Sequence, residues 1–402
     1  MNQPLLLFLA AVCVFQFATA AIIGLDRPFY IDEQTRLKII KYFSGGPTLE
    51  KLRDYEEVNA PGMYVIYAAV GDLVGFDLWK LRLFSILVAI PTCLLYFMLL
   101  RRVLDSDKVA ALVAAVLIVN PYMIRISVFL FPDMLPLCLM MLSLTLLVRG
   151  RTAWHFLPLA ATLLFRQYYV FLIVGAIAFH AARAWRDAEH RTDAVRMTIG
   201  YFLCMVPFGL LALLWGGIHP PNGVVYVVTD TPEPLYHPHY LTAYLLLIPA
   251  YTAPILMFRL KPVYFSRLVL IATCLLTPSY WLAPVALSLR SATRKNPAIG
   301  TYHRLLQVIA RENDTITHVL LCLTFAAGIP VLLYFVRSTW RRLRRRRFDL
   351  ALQLDLAILA FLVIMPFSYQ LWEKYLIPLI PLVSIRLMLI GRSGNDAPDL
   401  PR

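Results

Sequence analysis

Two adjacent carboxylates, Asp32 and Glu33, follow the first apolar stretch of the chain, in the sequence Tyr30-Ile31-Asp32-Glu33. A carboxylate placed at a membrane surface can act as a general base that removes the proton of an attacking hydroxyl group. A structural explanation competes with this one, because acidic residues favour helix starts and Asp32 would cap a helix from Glu33 to Phe43. The spacing alone leaves both explanations open.

A second group of charged residues lies in or beside apolar stretches: Asp133, Arg166, Glu373 and Lys374. Ionisable residues at such positions are costly in a membrane and usually face a bundle interior or a cavity. The alternatives are an interfacial anchor or an internal ion pair, and for Asp133 the alternative is a pair with Arg125. These residues are therefore candidate site residues with a structural explanation beside each.

The segment 218–239 carries the remaining polar candidates, Asn222, Asp230, His237 and His239. Two imidazoles without a converging carboxylate rarely make a metal site, whereas a histidine can contact a phosphate as a neutral donor or as an imidazolium. The sequence contains no phosphate-binding glycine-rich loop, nucleotide fingerprint or nucleophile elbow. We therefore expect no soluble nucleotide and no cofactor, with a divalent metal left open.

The composition of the chain indicates the kind of fold that must position these residues. Of the 402 residues, 60% are hydrophobic and 15% charged, against about 45–50% and about 25% in soluble proteins. Apolar stretches of membrane-spanning length predict an all-α polytopic membrane protein with about twelve spans, forming one domain over residues 1–402. The first span covers about 4–25, and the others lie near 79–100, 109–124, 130–148, 153–165, 168–182, 197–217, 240–258, 266–284, 317–336, 352–369 and 375–391.

The net charge of +14 is explained by topology and not by nucleic acid. With the N-terminus inside, the excess of basic residues falls on short cytosolic loops, as the positive-inside bias requires. The arginine run over 341–347 then contacts anionic lipid at the inner face. Three longer segments, 26–78, 218–239 and 285–316, remain on the outer face, where we expect the active site and two surface helices, the second of which opens at Pro61.

Short motifs spread over residues 30 to 380 resemble the GT-C glycosyltransferases, which use polyprenyl-phosphate sugars. The resemblance is strongest to the dolichyl-phosphate-glucose α-1,2-glucosyltransferase of lipid-linked oligosaccharide assembly. The matching segments are Tyr30-Ile31-Asp32-Glu33, Pro61-Gly62-Met63-Tyr64, Phe165-Arg166-Gln167, Asn222-Gly223 with Asp230 and His237 or His239, and Glu373-Lys374-Tyr375. Tyr168-Tyr169 stands where that family has Thr-Asn, and Lys374 where it has Arg, so the sugar and the acceptor stay open.

This resemblance implies a GT-C-like bundle in which Asp32 and Glu33 are catalytic. It further implies that Arg166, Gln167, Lys374, His237 and His239 bind the donor phosphate. Tyr64, Asn222, Asp230, Asp133 and Glu373 would contact the substrates. For Tyr64, Tyr168 and Tyr169, a place among the interfacial aromatic residues competes with stacking on a sugar.

The expected function is transfer of one sugar, glucosyl-like in preference, from a polyprenyl-phosphate donor to a lipid-linked or extracytoplasmic glycan hydroxyl, with inversion. The expected location is a bacterial inner membrane with a periplasmic active site, or the endoplasmic reticulum lumen in a eukaryote. The rival is a non-enzymatic flippase or transporter of a lipid-linked sugar. Transporters often contain repeats or broken helices at matching positions, and the sequence indicates neither.

Overall fold

The computed structural model describes residues 3–223, 236–264, 266–285, 300–368 and 371–390. Within these ranges the secondary structure is entirely helical, with α-helices and short 3-10 helices and no strand. The chain divides into two compact units, of which unit 1 holds the described residues up to 173 and 199–223. Unit 2 holds 174–198 and the described residues from 236 to 390. Both units share the apolar composition on which the prediction of one membrane domain is based, and that prediction stays a prediction.

Unit 1 contains most of the N-terminal helices. They are α1 (Gln3–Ile23), α2 (Glu33–Tyr42), α3 (Leu49–Asp54), α4 (Gly62–Val74), α5 (Leu78–Val103), α6 (Asp107–Ile118), α7 (Pro121–Val128), α8 (Met134–Val148), α9 (Phe156–Leu163) and a 3-10 helix, Gln167–Tyr169. Two helices run across the division between units, α10 (Val170–Arg186) and α11 (Arg191–Cys204), and α12 (Val206–Trp215) belongs to unit 1.

Unit 2 contains the C-terminal helices. They are α13 (Pro238–Met257), α14 (Leu260–Tyr264), α15 (Arg267–Leu276), α16 (Thr301–Ile309), α17 (Asp314–Arg344), α18 (Leu350–Ile364) and α19 (Leu379–Met388), with 3-10 helices at Thr277–Leu282, Met365–Phe367 and Glu373–Leu376.

Seven helical stretches of the described chain are long and apolar enough to cross a membrane: Gln3–Ile23, Leu78–Val103, Gln167–Arg186, Arg191–Trp215, Pro238–Met257, Asp314–Arg344 and Leu350–Phe367. Helices α6 and α7 make a further, bent pair. The chain is thus an all-helical, multi-pass membrane protein, as its composition predicts.

The predicted spans that differ from these are shorter helices. The segment 153–165 is wrong as a span, because α9 has eight residues and an eight-residue helix extends only about 12 Å, against the roughly 30 Å of a hydrocarbon core. The segments 130–148, 266–284 and 375–391 form the shorter apolar helices Met134–Val148, Arg267–Leu282 and Leu379–Met388. Helix α19 is buried along almost its whole length, so its apolar character also serves packing within the protein.

The predicted span 109–124 is broken. Helices α6 and α7 meet at an angle of 71°, and the local sequence explains the break. Asn120 precedes Pro121, which disfavours a helical backbone at Asn120 and supplies the first residue of a new helix. The Asn120 side chain accepts a hydrogen bond from the backbone N–H of Tyr122 at 2.9 Å and so caps α7.

Two helices of segment 26–78 are present where the sequence predicts them, α2 and α4, with the unpredicted α3 between them. They close over an aromatic core that includes Tyr55, Tyr64, Tyr67 and Trp215. The backbone N–H of Gly62 donates to the carbonyl of Leu164 at 2.7 Å, and a Cβ at Gly62 would lie 2.6 Å from that oxygen. Glycine is therefore needed where α4 begins against the segment that precedes Arg166.

Candidate active site

The turn that joins α1 to α2 is held by a buried arginine of α5. Arg82, which is fully buried, donates to the carbonyl oxygens of Leu25 at 2.7 Å, Arg27 at 2.8 Å and Pro28 at 3.2 Å. Three backbone acceptors on one guanidinium fix the path of the chain just before the paired carboxylates. A side chain 49 residues or more away in sequence thus determines where Asp32 and Glu33 are placed.

Glu33 is the second partner of Arg82 and is completely buried. Its carboxylate accepts from Arg82 Nη2 at 2.5 Å and Nε at 3.2 Å, and from the backbone N–H groups of Tyr30 at 2.8 Å and Leu130 at 3.0 Å. Four donors account for the lone pairs that face the protein, and the arginine balances the charge. This arrangement suits a residue that orients a basic neighbour and fixes the turn.

Asp32, by contrast, is only half-buried, with 44% of its side chain exposed. It stands at the N-cap position of α2 but makes no side-chain capping hydrogen bond, so helix capping does not explain its carboxylate. Arg36 Nη2 donates to Asp32 Oδ2 at 3.2 Å, while Arg36 Nη1 donates to the carbonyl of Leu130 at 3.0 Å. The two adjacent carboxylates therefore differ in burial and in role. Glu33 is buried and holds the turn in place, whereas the carboxylate of Asp32 is oriented by Arg36 and accessible.

Backbone strain lies immediately before Asp32. Ile31 has a φ of 51°, a left-handed conformation that is an outlier for a β-branched residue and costs about 1–3 kcal/mol. Such a conformation persists only where the surroundings determine it. The bonds that Arg82 and Glu33 make to the same turn supply that constraint.

A second polar cluster of unit 1 is built around Arg166. Its Nε and Nη2 each donate to a carboxylate oxygen of Asp133 at 2.9 Å, and its Nη1 contacts the side-chain oxygen of Asn59. The Tyr168 hydroxyl donates to Asp133 at 3.3 Å. The alternative that pairs Asp133 with Arg125 is wrong, because Arg166 takes that carboxylate in a two-point contact that satisfies the guanidinium geometry. A phosphate at Arg166 would have to compete with this buried pair.

The other candidates of unit 1 join backbone segments. Gln167 Nε2 donates to the carbonyl oxygens of Val58 at 2.8 Å and Ile218 at 3.3 Å. Asn222 Nδ2 donates to the carbonyl of Asp54 at 3.2 Å. Tyr64 is fully buried in the aromatic core, a position suited to packing and not to an open sugar face.

Two candidate residues of unit 2 lie on the 3-10 helix Glu373–Leu376. Glu373 is buried and accepts from the backbone N–H groups of Tyr302 at 2.9 Å and His303 at 2.7 Å, and from the Tyr251 hydroxyl at 2.5 Å. It thereby fills the N-terminus of α16, where unpaired N–H groups favour an anion. Lys374 Nζ lies 5.6 Å from the ring centre of Trp372.

The two candidate histidines of segment 218–239, His237 and His239, also lie in unit 2. His237 is buried, stacks on Tyr240 with ring centres 4.7 Å apart, and lies 5.6 Å from His239. Its backbone N–H donates to the carbonyl of Pro366 at 2.8 Å. Asp230 lies outside the described residues. No group of three or more His, Cys, Asp or Glu side chains in the described ranges is arranged to hold a metal ion.

The sequence analysis did not identify two buried arginines, Arg82 and Arg386, each of which forms an ion pair with a buried carboxylate. Arg82 lies near the start of a long apolar helix, where a basic residue resembles an interfacial anchor. Arg386 is also buried, and it donates to Asp355 at 2.6 Å and to the hydroxyl of Ser338 at 2.6 Å. The detectable signal was Asp355, a carboxylate in the middle of an apolar stretch.

Comparison with known proteins yields one solved structure and no sequence family. No protein-family model matches the chain, and no curated protein matches it. The chain is similar to the crystal structure of ArnT from Cupriavidus metallidurans in the apo state. The alignment covers 96% of this chain and 77% of the ArnT chain, with 15% sequence identity and a TM-score of 0.43. These values are too low for the similarity to bear on function.

Proposed function

We propose that the protein is a GT-C-like membrane glycosyltransferase that moves one sugar from a polyprenyl-phosphate donor to a hydroxyl of a lipid-linked or extracytoplasmic glycan. The observation that supports this most is the contrast between the two carboxylates of the α1–α2 turn. Glu33 is buried and immobilised, and the residue before it, Asp32, presents a half-buried, oriented carboxylate behind a membrane-spanning helix. This is the arrangement that a positioned general base requires.

In the proposed step Asp32 accepts the proton of the acceptor hydroxyl as its oxygen attacks the anomeric carbon of the donor sugar. The bond between that carbon and the phosphate oxygen breaks, and the electron pair leaves with the polyprenyl phosphate. A single displacement of this kind inverts the anomeric centre. Arg36 orients the Asp32 carboxylate through its bond to Oδ2, and Glu33 with Arg82 holds the turn on which Asp32 stands.

The remaining assignments are proposals of the same function. The active site faces the periplasm of a bacterial inner membrane, or the lumen of the endoplasmic reticulum in a eukaryote, and the sugar is a hexose or pentose with glucose favoured. Arg166, Gln167, Lys374 and His237 or His239 are candidate contacts of the donor phosphate. Tyr64, Asn222, Asp230, Asp133 and Glu373 are candidate substrate contacts, although the bonds of Asp133, Asn222 and Glu373 described above already give them structural roles.

The experiment is a transfer assay on purified protein in detergent, with radiolabelled polyprenyl-phosphate sugars and lipid-linked acceptors. Asp32→Asn keeps the size of the side chain but cannot accept the proton, so turnover should fall by about 10²–10⁴-fold. The thermal midpoint of the same preparation should stay within error of the wild type. Asp54→Asn changes a partly exposed carboxylate of the same unit that pairs with Arg53; it is the matched control and should keep full turnover. Near wild-type turnover in Asp32→Asn refutes the assignment of the base.

A second candidate, a carrier of lipid-linked sugars, gains one observation from the fold. The break between α6 and α7, at 71°, is the kind of discontinuous helix found at transporter binding sites. Reconstituted protein would then move a fluorescent lipid-linked sugar across vesicles without forming a glycosidic product. Product formation in the transfer assay excludes this candidate as the main function.

A further inference from the structure

Helix α16 has its polar and apolar faces reversed. Leu305, Val308 and Ile309 lie three to four residues apart, so they share one face of the helix, and each is more than half exposed. The opposite face is buried and carries His303 and Gln307. A helix on the surface of a water-soluble protein buries its apolar face and exposes its polar one. The surroundings of α16 must therefore explain the reversal.

The buried face of α16 adjoins a polar region inside unit 2. The Glu373 carboxylate accepts from the backbone N–H groups at the start of the helix, as described above. A cavity of about 10 Å³ is bordered by Tyr302, His303, Glu373 and apolar side chains, which is about the space of one water molecule. The inward face of α16 is thus polar because its surroundings within the protein are polar.

The outward face adjoins a membrane-spanning helix. The residues 310–313 connect α16 to α17 in a tight turn, in which the backbone N–H of Glu312 donates to the carbonyl of Gln307 at 2.7 Å. The two helices also pack against each other. Helix α17 exposes Ile316 and Val319 within its first two turns, and exposed apolar residues of a spanning helix face acyl chains. The connection therefore places α16 at the edge of the hydrocarbon region.

The charged residues around α16 agree with this position. Arg304 lies at the rim of the apolar stripe and pairs with Glu312 of the connecting turn at 3.0 Å. A long basic side chain at such a rim extends to the polar headgroups while the apolar residues stay among the acyl chains. Single exposed apolar side chains are ordinary, but a continuous exposed patch marks a contact with a membrane or a protein. The direct continuity of α16 with α17 favours the membrane.

We propose that α16 lies in the membrane interface, with Leu305, Val308 and Ile309 among the acyl chains of the leaflet at which α17 begins. The helix then forms a wall between those acyl chains and the polar cavity beside Glu373. Interfacial helices lie in the plane of the membrane with their apolar face about 5–10 Å deep. In α16 the polar face contacts protein where such helices usually contact water. The inference is independent of the proposed function and applies equally to an enzyme and to a carrier.

Photolabelling from the lipid phase tests this position on the wild-type chain. The protein is reconstituted in phosphatidylcholine vesicles that include a phosphatidylcholine with a diazirine in its acyl chain, then irradiated and digested with trypsin. Cleavage after Arg304, Arg311 and Arg337 releases peptide 305–311 of α16 and peptide 312–337 of α17, the internal standard. Mass spectrometry should find lipid adducts on 305–311 at a yield per residue within about threefold of that on 312–337.

A polar version of the stripe supplies the contrast. In the double variant Leu305→Gln with Ile309→Gln, adducts on 305–311 should fall at least about fivefold, because the helix face no longer favours the acyl chains. Labelling of 312–337 and the thermal midpoint should not change, since both substituted positions are exposed. Leu49→Gln, which changes an exposed leucine of unit 1, is the matched control and should leave the labelling of 305–311 as in the wild type.

Two results overturn the inference. Wild-type protein that is labelled on 312–337 and not on 305–311 has a stripe that faces water or a second protein surface. Equal labelling of 305–311 in the wild type and the double variant means that the lipid contact does not depend on the stripe. If the double variant does not fold, the wild-type ratio of the two peptides decides the matter by itself.

Discussion

Removal of the Arg82 guanidinium tests the proposed construction of the site. In Arg82→Met the side chain keeps its apolar stem but loses every hydrogen bond that fixes the α1–α2 turn. Glu33 would then remain fully buried with two backbone donors and no cation, and the carbonyl oxygens of Leu25, Arg27 and Pro28 would lose their donor.

The structure gives the size of the effect. Both side chains of the pair are fully buried, and removing one partner of a buried ion pair costs about 3–5 kcal/mol, mainly because the other charge is left uncompensated. At about 2–4 °C for each kcal/mol, the thermal midpoint should fall by about 6–20 °C. Arg53→Met removes an exposed ion pair to Asp54 and should leave the midpoint unchanged within error, since exposed pairs contribute little.

The double variant Glu33→Gln with Arg82→Met separates charge from packing. It has no buried charge to leave uncompensated, so its midpoint should lie above that of Arg82→Met alone, which is a coupling that independent sites do not give. Differential scanning fluorimetry of all variants in one detergent, with far-UV circular dichroism to confirm helicity, measures this. If Arg82→Met unfolds at the same temperature as Arg53→Met, the buried pair does not hold the turn and the reasoning is refuted.

Three further predictions follow from single residues. Ile31→Gly removes left-handed strain and should keep or raise the thermal midpoint, although glycine ordinarily costs about 0.5–1 kcal/mol; a clear fall would show that the conformation is not strained. Burial lowers the pKa of His303, beside Glu373 and His318, from 6.5 to about 4. In the unfolded chain His303 binds its proton more tightly than in the folded protein, so the free energy of unfolding should fall by up to about 3 kcal/mol as pH drops from about 6.5 towards about 4. The variant His303→Gln should reduce that acid-induced loss. Asp355→Asn leaves the buried Arg386 uncompensated and should lower the midpoint more than Asp349→Asn, whose carboxylate is more exposed.

Much of the fold is predictable because hydrophobic length and turn chemistry are local signals. The long helices α1, α5, α13 and α17 all lie where apolar stretches of spanning length occur. The differences arise where an apolar stretch forms a short helix instead of one of spanning length, as α9 does with eight residues and α19 with ten. Composition is the same in both cases, so a hydropathy pattern cannot separate them. The Asn120-Pro121 break was a local signal that the span prediction overlooked.

The candidate site was less predictable, because its decisive contacts join distant parts of the chain. Arg82 meets Glu33 across 49 residues, and Arg166 meets Asn59 across 107. No spacing rule links such positions, and several basic residues compete for each carboxylate. Asp133 illustrates this, because Arg125 is nearer in sequence but Arg166 takes the pair. The residue types and the general region were predictable, and the partners were not.

One feature of the site was nevertheless encoded locally. On a helix that begins at Glu33, the positions three, four and seven residues further on are Arg36, Leu37 and Ile40, which share its face. Leu37 and Ile40 must be buried to form a core, and the helical period then carries Glu33 and Arg36 inward with them, as the structure finds. Asp32 precedes the helix, so the helical period does not determine which way its side chain faces. An accessible, oriented carboxylate directly before its buried neighbour is therefore a consequence of where α2 starts.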